Sequence, residues 1–311
     1  RQYSAYRTAM VDRHILRVLQ TLEEVGLRDD TVVVFASDHG EYGAAHGMMI
    51  EKWHGAYQET VHVPFLISHK DYNSDRDVPR RIDAQTSHID ILPTLLSLAG
   101  ADYLQIERAR RNLSKNHTAA PLPGADLVPV INAGGGPVIG PDGQERKGVL
   151  FATDDMITEP LPPDDDPHNV QSQRQYAVFA ATVELLRTQP DGEGLPHRYL
   201  PDLAAGPVPQ PAHVRALRSG VWKLVRYCDP WSPNPAPDQW ELYNLELDPI
   251  ENVNLLVFDG AFPTPIAAAA MPDGLTAEQV TIVADELRAE LTRQEAALLS
   301  PYPSAHPTGR V

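Results

Sequence analysis

The chain has 311 residues, more than the roughly 100 to 200 usual for one domain, so a core domain with a smaller appended one is expected. Hydrophobic residues at 42% and charged residues at 22% are ordinary for a globular protein. A formal net charge of -16 argues against nucleic acid as a partner, because binding a phosphate backbone needs a basic surface.

In chain order, Val11, Ile15, Val18, Leu19 and Leu22 fall at helical spacing, and Gly26 is placed to end that helix in a left-handed cap. The run TVVVFAS (31–37) is short, apolar and β-branched, which predicts a strand of a parallel sheet buried on both faces. A second apolar run, 61–67, predicts another strand, made irregular by Pro64. Ser87 is placed to cap a helix over 88–99 with Asp90 in its first turn, a kink at Pro93 and Gly100 after its end. Residues 101–146 read as loop, with GGGP at 134–137 as a breaker. Beyond it GVLFAT, HVRALRS, WKLVRY and QWELYNL read as short strands of an antiparallel sheet, and residues 160–167, with three aspartates between prolines, as a solvated loop. Thr276 and Gln279 form a capping box that opens a helix running to about Leu299. The alternation predicts an α/β core over 1–145, its sheet flanked by helices, followed by a smaller α+β subdomain over 146–311 with an antiparallel sheet.

The densest chemistry lies in SDHGEYGAAHGMMIEKWHGAYQETVHVPFLI, residues 37–67. Asp38 and His39 fall at the carboxyl end of the first strand, where a rigid sheet can hold a carboxylate and an imidazole against one divalent ion. By ligand type such a pair suits manganese or zinc better than calcium, without choosing among them. A lone Asp-His-Gly is more often a turn in which the glycine supplies positive φ. Here it opens a loop between two strands that also carries His46, Lys52, His54, Tyr57 and Glu59, and loops at strand ends carry function disproportionately. A lysine is a compact positive charge suited to anionic oxygens, although most lysines are simply solvated. Two ligands do not complete a metal site. Cys228, the single cysteine, excludes an intramolecular disulfide and a cysteine cluster for zinc.

This block resembles the sulfatase family, whose members carry S-D-H-G-E, then His-Gly, a lysine, Tyr-x-E and a strand beginning V-P. The resemblance extends to TSHIDILPTLLSLAG (86–100), similar to the family's D-x-x-P-T-L-L-x-L-A-G segment. It extends again to WELYNLELDPIENVNLL (240–256), similar to E-L-Y-x-L-x-x-D-P-x-E-x-x-N-L. The resemblance implies an alkaline-phosphatase-like sheet, incomplete at its amino-terminal side. It implies Asp38 and His39 as metal ligands and Lys52 as the contact to sulfate oxygens. His46 is either a substrate group protonating the leaving oxygen or a structural group bonded to the loop backbone. By resemblance the ion is calcium, with manganese and zinc as alternatives, and the substrate is a small-molecule or glycan sulfate ester. His54, His62 and His69 are expected to be structural or surface residues.

The departures matter as much. The family's nucleophile is formylglycine made from C/S-x-P-x-R, and no such segment occurs in the 311 residues; Cys228, in RYCDPWS, lacks the arginine. The family's amino-terminal Asp-Asp metal pair is also missing. The reading therefore expects further sequence upstream of Arg1 and negligible activity from this chain alone. The nearest rival is a phosphate or phosphonate ester hydrolase of the same superfamily, and a more distant one is a non-catalytic module that keeps the fold. No run of about 18 apolar residues predicts a membrane span. Localisation, cytoplasmic or periplasmic and secreted, stays open, as does oligomeric state.

Overall fold

The computed structural model describes residues 2–48, 52, 55–72, 78–117, 119–154, 213–228, 237–257 and 263–299; the loop expected at 160–167 and His54 lie outside them. The chain divides into two compact units, one of residues 1–53 with 57–149 and one of residues 54–56 with 150–311.

The first unit opens with helix α1 (Gln2–Glu24). It ends as its sequence predicts: Gly26 is left-handed at φ 73, and the Leu27 N–H donates to the Leu22 carbonyl. Its apolar stripe is only partly covered, with Val18 68% exposed. Strand β1 (Val33–Ala36) follows, then the short helices α2 (Ala45–Met48) and α3 (Gln58–Val61) and strand β2 (Phe65–Ser68). The expectation of a buried parallel sheet fails here. β1 and β2 pair antiparallel, with Phe35 opposite Leu66, and both side chains are exposed. Two strands of four residues cannot cover two faces, whatever their composition. β2 also starts later than the apolar run, because 58–61 closes into a helical turn and Pro64, which has no ladder N–H, immediately precedes the strand.

Ser87 and Asp90 open the next helix as expected. A 3-10 turn (His88–Asp90) leads into α4 (Ile91–Leu98), and Pro93 falls in the first α-helical turn, where its missing N–H costs no bond. Asp90 is fully buried and carries much of the local architecture. Its carboxylate accepts from the Ser87 and Ala125 N–H groups, each at 2.8 Å, and from both terminal nitrogens of Arg146 at 2.6 Å. The region read as loop contains two helices. α5 (Tyr103–Leu113) is opened by a reciprocal Asp102–Gln105 capping box, and α6 (Val128–Ala133) is closed by Gly134 at φ 74. A small core of Ala125, Leu127, Val130, Ile131 and Val138 forms there.

The second unit is built on a sheet of order β3-β4-β5-β6: β3 (Val149–Thr153), β4 (His213–Ser219), β5 (Trp222–Cys228) and β6 (Gln239–Asn244). β4, β5 and β6 pair antiparallel, as predicted. Leu217, Leu224 and Leu242 stand in one cross-strand row, all at 0% exposure. Helix α7 (Ala277–Leu298), opened by the predicted Thr276–Gln279 box, packs Val280, Ala284, Leu287 and Leu291 into the same core. The polar residues of the late motif serve this fold. Asn254 accepts from the Leu242 and Leu256 N–H groups and donates to the Trp240 carbonyl, and Asp248 accepts from the Val253 N–H. Glu251, buried and left-handed at φ 54, pairs with buried Lys223, whose ammonium also donates to the Ala56 carbonyl.

Candidate active site

The site grows from the end of β1. His88 Nε2 lies 2.7 Å from the Ser37 carbonyl, and because a carbonyl only accepts, this nitrogen carries the proton and holds the strand end. Ser37 Oγ in turn donates to the His39 carbonyl at 2.8 Å. The two candidate ligands follow. His39 Nδ1 is 2.8 Å from the Gly40 carbonyl and by the same argument donates to it. In the neutral ring Nε2 then keeps its lone pair, 3.5 Å from Asp38 Oδ2, close enough for both atoms to reach one ion. A backbone carbonyl orienting an imidazole in this way is the usual support of a histidine ligand. A carboxylate oxygen beside an available imidazole nitrogen therefore fits a divalent ion as part of its donor set.

Asp38 is open to solvent, at 86% side-chain exposure. Its carboxyl is held below the usual carboxylate range, first by the His39 N–H at 3.0 Å, then by the His39 ring when that ring is protonated and, more weakly, by the charge of Lys52. Lys52, half-buried, thus acts electrostatically on the same carboxylate that the sequence put forward as a ligand.

Gly40 has no positive φ, so the turn explanation for this glycine is replaced by another. A Cβ on residue 40 would lie 1.8 Å from the Glu59 carbonyl oxygen. The outgoing and returning chains run that close together, with the Gly40 N–H donating to the Thr60 carbonyl and the Glu41 N–H to the Glu59 carbonyl. His46 bonds not to loop backbone but to the Glu59 carboxylate, Nε2 to Oε2 at 3.0 Å, and its ring stacks on Tyr57 at 3.8 Å. Among the remaining histidines, His69 accepts from the Asp71 N–H. Sequence reasoning missed His88 because its partner is 51 residues away and nothing local marks the contact. Cys228 is buried in the second unit, and desolvation pushes its thiol up to about 11, which leaves too little thiolate for a nucleophile.

Residues 2–101 match the family model described as Sulfatase. This match places residues 2–101 within the sulfatase family. Most of the chain's relatives are named sulfatases, and one, of Trinickia caryophylli, is named a multifunctional alkaline phosphatase superfamily protein. The chain is 26% identical over 254 residues to an arylsulfatase of Chlamydomonas reinhardtii, covering 81% of this chain and 30% of that protein. It is 36% identical over 105 residues to an endo-4-O-sulfatase of Bacteroides thetaiotaomicron, covering 33% of this chain and 20% of that one. A solved structure from work on the metabolism of multiple glycosaminoglycans by Bacteroides thetaiotaomicron superposes with a TM-score of 0.52 at 17% identity, over 95% of this chain and 43% of its own, which is a likeness of fold. The chain thus spans less than half the length of each of these relatives. No helix among its described residues is long and apolar enough to cross a membrane.

Proposed function

We propose that these 311 residues supply part of the active site of a sulfuric ester hydrolase acting on a small-molecule or glycan sulfate ester. The observation that carries the reading is the outward-facing Asp38–His39 pair, with the His39 ring oriented by the Gly40 carbonyl. Asp38 and His39 are assigned as ligands of a divalent ion, calcium by family resemblance and manganese or zinc by donor type. When bound, that ion supplies Lewis-acid stabilisation of the sulfuryl oxygens. Lys52 places an ammonium where negative charge shifts among those oxygens as the ester bond breaks, an interaction stronger in the transition state than in the bound substrate. The sequence left two roles open for His46, proton donor to the leaving oxygen or structural group, and its bond to Glu59 favours the second. A nucleophile is required from sequence beyond these residues, since C/S-x-P-x-R is not among them.

The test is hydrolysis of p-nitrophenyl sulfate by the protein expressed in its full coding context. Chelation or Asp38→Asn is expected to abolish turnover, and Lys52→Ala to lower kcat/KM by about 10²–10³-fold. The 311-residue chain alone is expected to show negligible activity. Faster turnover of the matching phosphate ester would replace the sulfatase reading by a phosphohydrolase, and metal-independent inactivity towards both would leave a non-catalytic module.

A further inference from the structure

Lys52 stands in sequence between His46 and Tyr57. The chain leaves β1 and returns as a pair of adjacent strands of backbone, held by the bonds from Gly40 to Thr60 and from Glu41 to Glu59. At the far end of that pair, His46 Nε2 meets Glu59 Oε2 at 3.0 Å across thirteen residues, a span within the range of compact Ω-loops, which run to about 16 residues. A carboxylate only accepts, so the proton of this bond sits on His46 Nε2 and points at Glu59. The ring is fixed in a second direction by Tyr57, parallel to within 14° at 3.8 Å, and Tyr42 meets both rings edge-on at 6.2 and 6.1 Å. Tyr42 is itself buried at 3% exposure, so the group is rooted in the unit.

The backbone that delivers His46 is strained. Gly43, Ala44 and His46 all have positive φ, at 56°, 72° and 47°. Non-glycine residues persist there only when their surroundings hold them. His46 is held there by the bond to Glu59 and the stack on Tyr57, and Ala44 lies within the turn closed by the Ala45 N–H on the Tyr42 carbonyl.

We propose that His46, Glu59 and Tyr57 form a brace pinning the two ends of the Lys52 loop, and are positioning residues for the Lys52 ammonium. The proposal rests on the reading of Lys52 as the anion-binding group for its purpose, but not for its geometry, which involves only residues on either side of the loop. It also gives the histidine and glutamate of the motif a task separate from proton transfer.

Limited digestion of the 311-residue chain with a lysine-specific endoprotease tests it, because cleavage after Lys52 reports loop opening while cleavage after Lys70 and Lys115 serves as an internal control. Glu59→Gln and His46→Gln are each expected to speed cleavage at Lys52 by about tenfold, the effect of losing one charge-assisted bond, with the control sites unchanged. The double variant is expected to be no faster than either single one, since both remove the same contact. An unchanged rate at Lys52 in both single variants, or equal acceleration at all three lysines in both, overturns the brace. Inorganic sulfate is then added as probe. Protection of Lys52 by sulfate in the native chain that weakens in Glu59→Gln supports positioning of the ammonium. Absence of sulfate protection in the native chain, with selective cleavage of the variants intact, overturns the anion role of Lys52 and leaves the brace standing.

Discussion

The two sheets among the described residues differ in what they hold together. In the first unit the β1–β2 pair leaves Phe35 and Leu66 exposed at 42% and 53%. In the second, the Leu217–Leu224–Leu242 row is sealed under α7. The candidate chemistry belongs to the first sheet and the tighter packing to the second. Residues at a site must reach solvent and substrate, and the segments carrying them are drawn from the less tightly packed part of a fold.

Substitutions that exchange the burden between the two regions break or sharpen this contrast. The largest effect is expected from Lys223→Ala, which leaves Glu251 as an uncompensated buried charge and should cost about 3–5 kcal/mol in the second unit; Lys223→Ala as stable as the native chain in urea would mean the pair is not buried. Leu224→Ala is expected to cost about 3 kcal/mol by opening a cavity in a close-packed row, whereas Phe35→Ala, on an exposed face, should change stability by less than about 1 kcal/mol. Equal shifts in the urea midpoint for those two would erase the contrast. Gly40→Ala should cost about 1–3 kcal/mol, because the new methyl group meets the Glu59 carbonyl and the two backbone segments must part; hydrogen exchange at the Gly40 and Glu41 amides is the direct readout, and protection equal to native would refute the close approach.

Of the fold, what a local pattern can carry was legible. The helix ending at Gly26, the Thr276–Gln279 box and the four late strands lie where spacing and capping chemistry put them, because the interactions that define them join residues a few positions apart. The Asp102–Gln105 box is equally local, and it opens a helix within residues that read as loop by their composition. Of the site, residue types and their order were legible at Asp38, His39 and Lys52, and the resemblance supplied their roles.

The pairing direction of β1, the close approach that demands a glycine at 40, the His46–Glu59 bond, the His88 support of Ser37 and the Lys223–Glu251 pair were decided only by the tertiary structure. Each depends on where a distant segment returns, and a hydrogen bond or ion pair has no periodicity of its own in the sequence. The amino-acid sequence by itself determined which groups this chain brings to its candidate site and where several of its helices begin and end. The path of the chain determined which of those groups meet, because contact is set by packing over long separations and residue identity alone does not encode it.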